Sequence, residues 1–233
     1  MRGILLPVKT QIGGLNHYMQ HIPTVLDHGF EYIGGDLSTD FTNTKSGRIE
    51  GAGHDHVQAY ADVVEFVRLA GLLSAGDAKR LVADAEERPD KAAQIYRRAV
   101  ALREATWRAY ERVMDGKDPA PEDLAVISSE ASHALGHARV VKSAAGFSWE
   151  WPDSDPHELE RPLWPIARAV VDMLIHEENR SLLRECADDT CAWLFIDRTK
   201  NHSRRWCDMN TCGSRNKVRE FRQRQKRVAR RAR

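Results

Sequence analysis

Cysteine is absent from the first 185 residues of this 233-residue chain, and all four cysteines lie between positions 186 and 212. A secreted protein held together by disulfides would not usually confine its cysteines to one short stretch. The sequence also has no run of 18 apolar residues, so it predicts no transmembrane helix. The apolar patch near the start is too brief for a signal peptide and lacks a clear cleavage site. We therefore expect a cytoplasmic protein with no membrane partner.

Recognisable catalytic patterns are also missing. The sequence has neither a phosphate-binding loop nor a nucleophile elbow, and no convergent set of catalytic residues stands out. It has no internal repeat. At 42% hydrophobic residues, the chain is nevertheless able to bury a proper core and fold without cross-links. We expect a folded protein that is not an enzyme.

Charge is distributed unevenly along the chain, although the formal net charge is only +1. Residues 198–233 contain 14 lysines and arginines against two acids, whereas residues 1–197 contain 21 basic and 32 acidic residues. Such a division indicates an acidic body with an end that binds a polyanion. The alternative is a basic tail that is simply solvated.

Helical periodicity dominates the body. It predicts helices over 55–71, capped by Asp55, then from Ser74, from Pro89 to Gly116, from Pro121, and over about 156–179. Aromatic and β-branched residues around Gly-Gly predict a strand or short hairpin over 30–44. Alternation around Ala-Ala-Gly predicts a second hairpin, which contains Trp149 and Trp151. The fold class is therefore mainly α, with one or two small β-hairpins.

The cysteines form two C-x4-C pairs separated by fifteen residues, namely Cys186, Cys191, Cys207 and Cys212. Two such pairs in a cytosolic chain favour one tetrahedral Zn²⁺ held by four thiolates. Because four protein ligands leave no open position for water, this zinc would be structural. Two disulfides or four free thiols are the alternatives. Between the pairs we expect a strand over 192–197, a turn, and a return strand that begins at 204–206.

A basic helix is predicted after the last cysteine, with Ser214 as its cap. A narrow apolar stripe that includes Val218, Phe221 and Val228 could dock it on the finger or the body. Arg215 and Lys217 would lie in the first turn, where a bound phosphate would offset their repulsion by the helix dipole. The residues predicted to contact nucleic acid are Arg204, Arg205, Arg215, Lys217, Arg219 and Arg222.

The segment "CADDTCAWLFIDRTKNHSRRWCDMNTCGSRNK" resembles the CGNR zinc finger, whose cysteine pairs surround a W-x-F-x-D stretch and an R-R-W-C segment. The tetrapeptide that names the family appears here as Cys212, Gly213, Ser214 and Arg215, so Ser214 stands where the family has Asn. The resemblance implies a C-terminal zinc module that binds DNA.

The body resembles the ABATE domain that commonly precedes this finger. The segment "GGDLSTDFTNT" matches most of the ABATE entry motif G-x-L-x-L-D-F-x-N-T, with Thr39 in place of Leu. The family is described as stress-induced transcriptional regulators, a description that rests largely on the finger. We therefore expect an N-terminal extension over 1–29, an ABATE-like helical domain over 30–180, and a CGNR-type zinc finger with a basic helix over 181–233.

Polar residues in the ABATE-like motif could line a small-molecule pocket or could satisfy backbone groups at a turn, and we favour the second interpretation. The candidate pocket residues are Asp40, Phe41, Asn43, Thr44, Trp149 and Trp151. The leading functional hypothesis is a transcriptional regulator that binds double-stranded DNA, with a body that senses an unidentified small-molecule effector or forms a homodimer. The alternatives are an RNA-binding protein and a protein-interaction module that uses the same basic finger.

Overall fold

The computed structural model describes residues 29–49, 53–143, 146–151 and 158–231. The predicted N-terminal extension lies outside the described residues except at its last position. Within the described ranges the chain forms eight α-helices and four short strands. The helices are α1 Leu37–Thr42, α2 Tyr60–Leu69, α3 Ala75–Glu87, α4 Pro89–Met114, α5 Pro121–Gly136, α6 Leu163–Ile175, α7 Glu177–Arg180 and α8 Ser214–Arg231. The strands are β1 Arg139–Ser143, β2 Gly146–Glu150, β3 Leu183–Glu185 and β4 Leu194–Ile196.

The body is a helical layer built around α4, as the hydrophobic pattern predicts. The inward faces of α2, α4 and α6 supply most of one large apolar cluster, which also includes Phe41 of α1 and Leu81 of α3. Three of the predicted helix starts are confirmed. Ser74 accepts a hydrogen bond from the Asp77 N–H at the start of α3, and Pro89 and Pro121 occupy the first turns of α4 and α5.

The strand or hairpin predicted over 30–44 is wrong, because the centre of this segment is the helix α1. The Asp36 side chain accepts a hydrogen bond from the Ser38 N–H and caps the helix. All six residues of α1 are buried, including three hydroxyl side chains and Asp40. A helix that is buried on every side shows no amphipathic periodicity, so its sequence does not reveal it.

Two other helix predictions need correction. Helix α2 begins at Tyr60 rather than near Asp55. The Asp62 carboxylate accepts from the Ala59 N–H at its start, and the Asp55 carboxylate pairs with the buried Arg103 at 2.6 Å. The last body helix, predicted over about 156–179, is shorter and divided at His176 into α6 and α7. Residues 156 and 157 lie outside the described residues.

Both β elements are antiparallel pairs. Strands β1 and β2 form the predicted hairpin, with Val140 opposite Trp149. Strand β4 confirms the strand predicted over 192–197, but the return strand at 204–206 is wrong. Strand β4 pairs instead with the upstream strand β3, so that Leu183 lies opposite Ile196. None of the helices in the described ranges combines the length and the apolar character that crossing a bilayer requires.

Candidate zinc centre and nucleic-acid interface

The four cysteine sulfurs converge on one point. Their Sγ atoms all lie within 4.8 Å of one another, and they form the one metal-ligating group found among the described residues. The Sγ of Cys207 lies 3.7 Å from that of Cys191 and 3.6 Å from that of Cys212. Four sulfurs placed tetrahedrally at the usual Zn–S distance of about 2.3 Å are about 3.8 Å apart. The donor set therefore fits one tetrahedral zinc ion, and four sulfurs make that site structural.

The first cysteine loop, residues 186–191, follows directly from β3 and is shaped by hydrogen bonds. The Cys186 N–H donates to the Trp193 carbonyl at 2.8 Å, and the Cys191 N–H donates to the Asp188 carbonyl at 2.9 Å. The Asp188 carboxylate accepts from the backbone and the hydroxyl of Thr190. These bonds fold the loop back so that both of its sulfurs point to the same centre.

The second cysteine loop, residues 207–212, is the wide first turn of the terminal helix. Residues Met209–Gly213 form a π-helical turn, and Asp208 caps it by accepting from the N–H groups of Asn210 and Thr211. Helix α8 continues from this turn without a break. The prediction that Ser214 caps the helix is therefore wrong, since Ser214 is itself a helical residue and its hydroxyl donates to the Met209 carbonyl.

The electrostatics of the cysteine cluster favour one deprotonated sulfur. Hydrogen bonds from the thiols of Cys191 and then Cys207 lower the pKa of Cys186, which stabilises its thiolate. Hydrogen bonding to Cys186 raises the pKa of Cys191 and of Cys207, and burial raises the pKa of Cys212. Three of the cysteines are buried, whereas Cys191 is half-buried. Metal binding requires thiolates, so a bound cation would have to displace the protons of the other three sulfurs.

The finger is joined to the body through β4. The Asn43 side chain accepts a hydrogen bond from the Leu194 N–H and donates one to the Leu194 carbonyl, both at 2.8 Å. The Ile196 N–H donates to the Gly34 carbonyl at 2.7 Å. A side chain at Gly34 would place its Cβ 2.5 Å from the Thr39 hydroxyl, so only glycine fits against α1 at this position.

The ABATE-like motif therefore has a structural explanation. Its predicted pocket residues Asp40, Phe41, Asn43 and Thr44 are all buried. Asp40 accepts from the Gly34 N–H at 2.7 Å, and Thr44 donates to the Phe41 carbonyl and accepts from Arg103.

The two tryptophans of the candidate pocket make contacts elsewhere. Arg168 of α6 lies 5.5 Å from the centroid of the Trp149 ring, and the Trp151 indole donates to the Ala134 carbonyl of α5. Trp151 also packs against the large apolar cluster that contains Phe41. The candidate effector pocket stays a prediction.

Arg204 contacts the finger itself. Its guanidinium donates to the carbonyl groups of Trp206, Cys207 and Ile33, and it lies 4.3 Å from the centroid of the Phe195 ring. These bonds hold the second cysteine loop against the body. The prediction that Arg204 contacts nucleic acid is left untested, and the geometry gives this side chain a structural role.

Helix α8 carries most of the basic charge of the finger. It contains nine lysines and arginines and one acid, Glu220. Lys217 and Arg222 are exposed, as is Arg205 beside the second loop. Arg215 and Arg219 instead face two aspartates of the first cysteine loop, Asp188 and Asp189.

The apolar stripe of α8, which could have docked the helix on the finger or the body, is exposed. Val218, Phe221 and Val228 are 49%, 59% and 65% exposed. The start of the helix is also anchored by Asn216, which is buried. Its amide donates to the Asp188 carboxylate and to the Cys212 carbonyl.

Sequence reasoning missed Asp188 and Asn216 as site residues. The two residues in this contact are 28 positions apart, so no local sequence pattern predicts it. The available signal was the pair of aspartates between two cysteines, opposite a helix rich in arginine.

Burial raises the pKa of Asp188, but hydrogen bonds from Thr190 and the charges of Arg215 and Arg219 outweigh burial, so the pKa is lowered and the carboxylate stays ionised.

Comparison with known families gives two matches. The ABATE family model, described as "Putative stress-induced transcription regulator", matches residues 35–177. The CGNR zinc finger model matches residues 183–225. No curated protein matches the chain.

Proposed function

Because the chain belongs to the ABATE family, we propose that it is a transcription regulator that binds double-stranded DNA through α8 and the zinc finger. The observation that carries the proposal is the position of α8. The helix begins at a zinc-binding loop and exposes a wide basic face beyond it. DNA binding of this kind depends mainly on neutralising phosphates.

The dimensions of α8 suit a DNA groove. Eighteen residues at about 1.5 Å each give a helix of about 27 Å. The major groove, about 12 Å wide, admits one α-helix. The exposed apolar stripe beside the basic face is compatible with contacts to thymine methyl groups in the same groove.

Three exposed cations are the best candidates for phosphate contacts. Lys217 and Arg222 lie on α8, and Arg205 lies at the edge of the finger. No ion pair of theirs is found among the described residues, so contact with phosphate would not require a bond within the protein to break. Arg215 and Arg219 already contact aspartates, so each would have to be shared between its aspartate partner and a phosphate.

Zinc orients the helix in this proposal and takes no part in chemistry. Bound to the four sulfurs, it would cross-link the two cysteine loops. The proposal includes a cytoplasmic location, since a reducing compartment keeps such thiols free to bind metal. It assigns the chain no catalytic activity.

The test is the salt dependence of binding to a fluorescently labelled DNA duplex, measured by anisotropy between 50 and 200 mM salt. The logarithm of the binding constant should fall linearly with the logarithm of salt concentration, by about 0.9 for each phosphate contact. Arg222→Ala should lower that slope by about 0.9 and weaken binding. Arg97→Ala removes an exposed arginine from α4 of the body and should leave both values unchanged.

Two outcomes would contradict the proposal. An affinity that hardly changes over this salt range would mean that phosphates are not the ligand. A structured RNA that displaces the duplex at lower concentration than unlabelled DNA does would favour the RNA-binding alternative.

A further inference from the structure

Two adjacent aspartates of the first cysteine loop face the basic helix, and their environments are opposite. The Asp188 side chain is completely buried, whereas the Asp189 side chain is 77% exposed. Both lie between the zinc ligands Cys186 and Cys191. Their position places two negative charges beside the helix that is proposed to bind a polyanion.

Asp188 is bonded on both sides. One carboxylate oxygen accepts from the Asn216 amide at 2.7 Å and lies 3.6 Å from Arg215. The other accepts from the Thr190 hydroxyl at 2.7 Å and lies 3.8 Å from Arg219. The residue thus joins the first cysteine loop to the first two turns of α8.

Asp189 makes a simpler contact. Its carboxylate accepts from the Arg219 guanidinium at 2.7 Å, and Arg219 is itself 34% exposed. An exposed ion pair of this kind contributes little to stability. The carboxylate nevertheless occupies one donor edge of Arg219, where a phosphate oxygen could otherwise bind in the same geometry.

We propose that the two aspartates have opposite effects on DNA binding: Asp188 positions α8 for the duplex, and Asp189 competes with a phosphate for Arg219. This inference rests on the proposed function of the same helix. It makes Asp189 a built-in limit on affinity that a nucleic-acid phosphate must displace. It makes Asp188 a positioning residue, because it acts through Asn216 and Arg215.

The exposed aspartate is tested with Asp189→Asn. Removal of the competing carboxylate should tighten binding to the labelled duplex about 1.5- to fivefold at 50 mM salt, the range of an exposed ion pair. The salt slope should become steeper by about 0.9, because Arg219 gains one phosphate contact. Glu87→Gln removes an exposed acid from the body and controls for the change in net charge.

The buried aspartate is tested with Asp188→Asn, which changes net charge by the same amount. The new amide has one acceptor oxygen where the carboxylate has two, so it cannot accept from both Asn216 and the Thr190 N–H, and one of these bonds would be lost. Binding should weaken at least about tenfold, the lower end of the cost of breaking a hydrogen bond to a charged group. Hydrogen exchange should speed up in the first turns of α8 and remain unchanged in α4.

Asn216→Ala breaks the same contact from the helix side and leaves the formal net charge of the protein unchanged. It should weaken binding to a similar extent, with one zinc per chain retained. This variant keeps the test decisive if Asp188→Asn fails to fold.

The outcomes separate the inference from the proposed function. Wild-type protein that does not bind DNA would overturn both. If the wild type binds with the expected salt slope but Asp189→Asn binds the duplex no more tightly than Glu87→Gln does, the proposed competition between Asp189 and phosphate is wrong. Tighter binding by both aspartate variants would show that Asp188 also acts through charge alone, and would overturn its positioning role.

Discussion

At the scale of the residue, Asn43 shows how one amide can join two parts of a chain. It lies at the end of α1 and pairs with both backbone groups of Leu194, 151 positions away. Both residues are buried, so neither backbone group can turn to water. The sequence left two roles open at this position, a ligand pocket and the satisfaction of backbone groups, and favoured the second; here the amide pairs with the backbone of β4.

Asn43→Ala should lower the free energy of unfolding by about 2–4 kcal/mol, because a buried N–H and a buried carbonyl both lose their partners. Urea unfolding followed by circular dichroism measures the change. Asn201→Ala, at an exposed position in the turn after β4, should change it by less than about 0.5 kcal/mol. Equal effects of the two variants would contradict the structural role of Asn43.

At the scale of the element, sequence reasoning succeeded where the signal is local. The starts of α3, α4 and α5 depend on a capping serine and two prolines, and the zinc ligands depend on two short spacings. It failed where the cause lies far along the chain. Strand β4 pairs with β3 rather than with residues 204–206, and the start of α8 follows from the π-helical turn that brings Cys207 and Cys212 together.

The π-helical turn contains the ligand Cys212 and continues into α8, so zinc binding would stabilise the start of that helix. Cys191→Ser should abolish stoichiometric zinc binding, measured by elemental analysis, because three sulfurs leave the tetrahedral shell open. The finger after β4 should lose its order, and hydrogen exchange in residues 207–220 should accelerate. Ser214→Ala lies beside a ligand but is not one, and it should retain one zinc per chain. Full zinc content in Cys191→Ser would contradict the four-sulfur site.

At the scale of the whole molecule, the finger is divided between two environments. Its strands are part of the body core, where Leu183, Leu194 and Ile196 pack with Tyr110 of α4 and Met173 of α6. Helix α8 is held mainly through the π-helical turn and Asp188. The strands therefore connect the zinc centre rigidly to the body, while most of α8 stays exposed.

This division predicts different effects of two truncations. A chain that ends at Glu220 keeps the contacts of Arg215, Asn216 and Arg219, and it should unfold in urea at the same concentration as the full chain. A chain that ends at Arg180 loses the three aliphatic side chains of the finger, each worth about 1.5–3 kcal/mol when buried, and leaves Asn43 without its partner. Its free energy of unfolding should fall by at least about 4 kcal/mol. If the shorter chain is as stable as the full one, the finger is an independent appendage and the shared core does not contribute to stability.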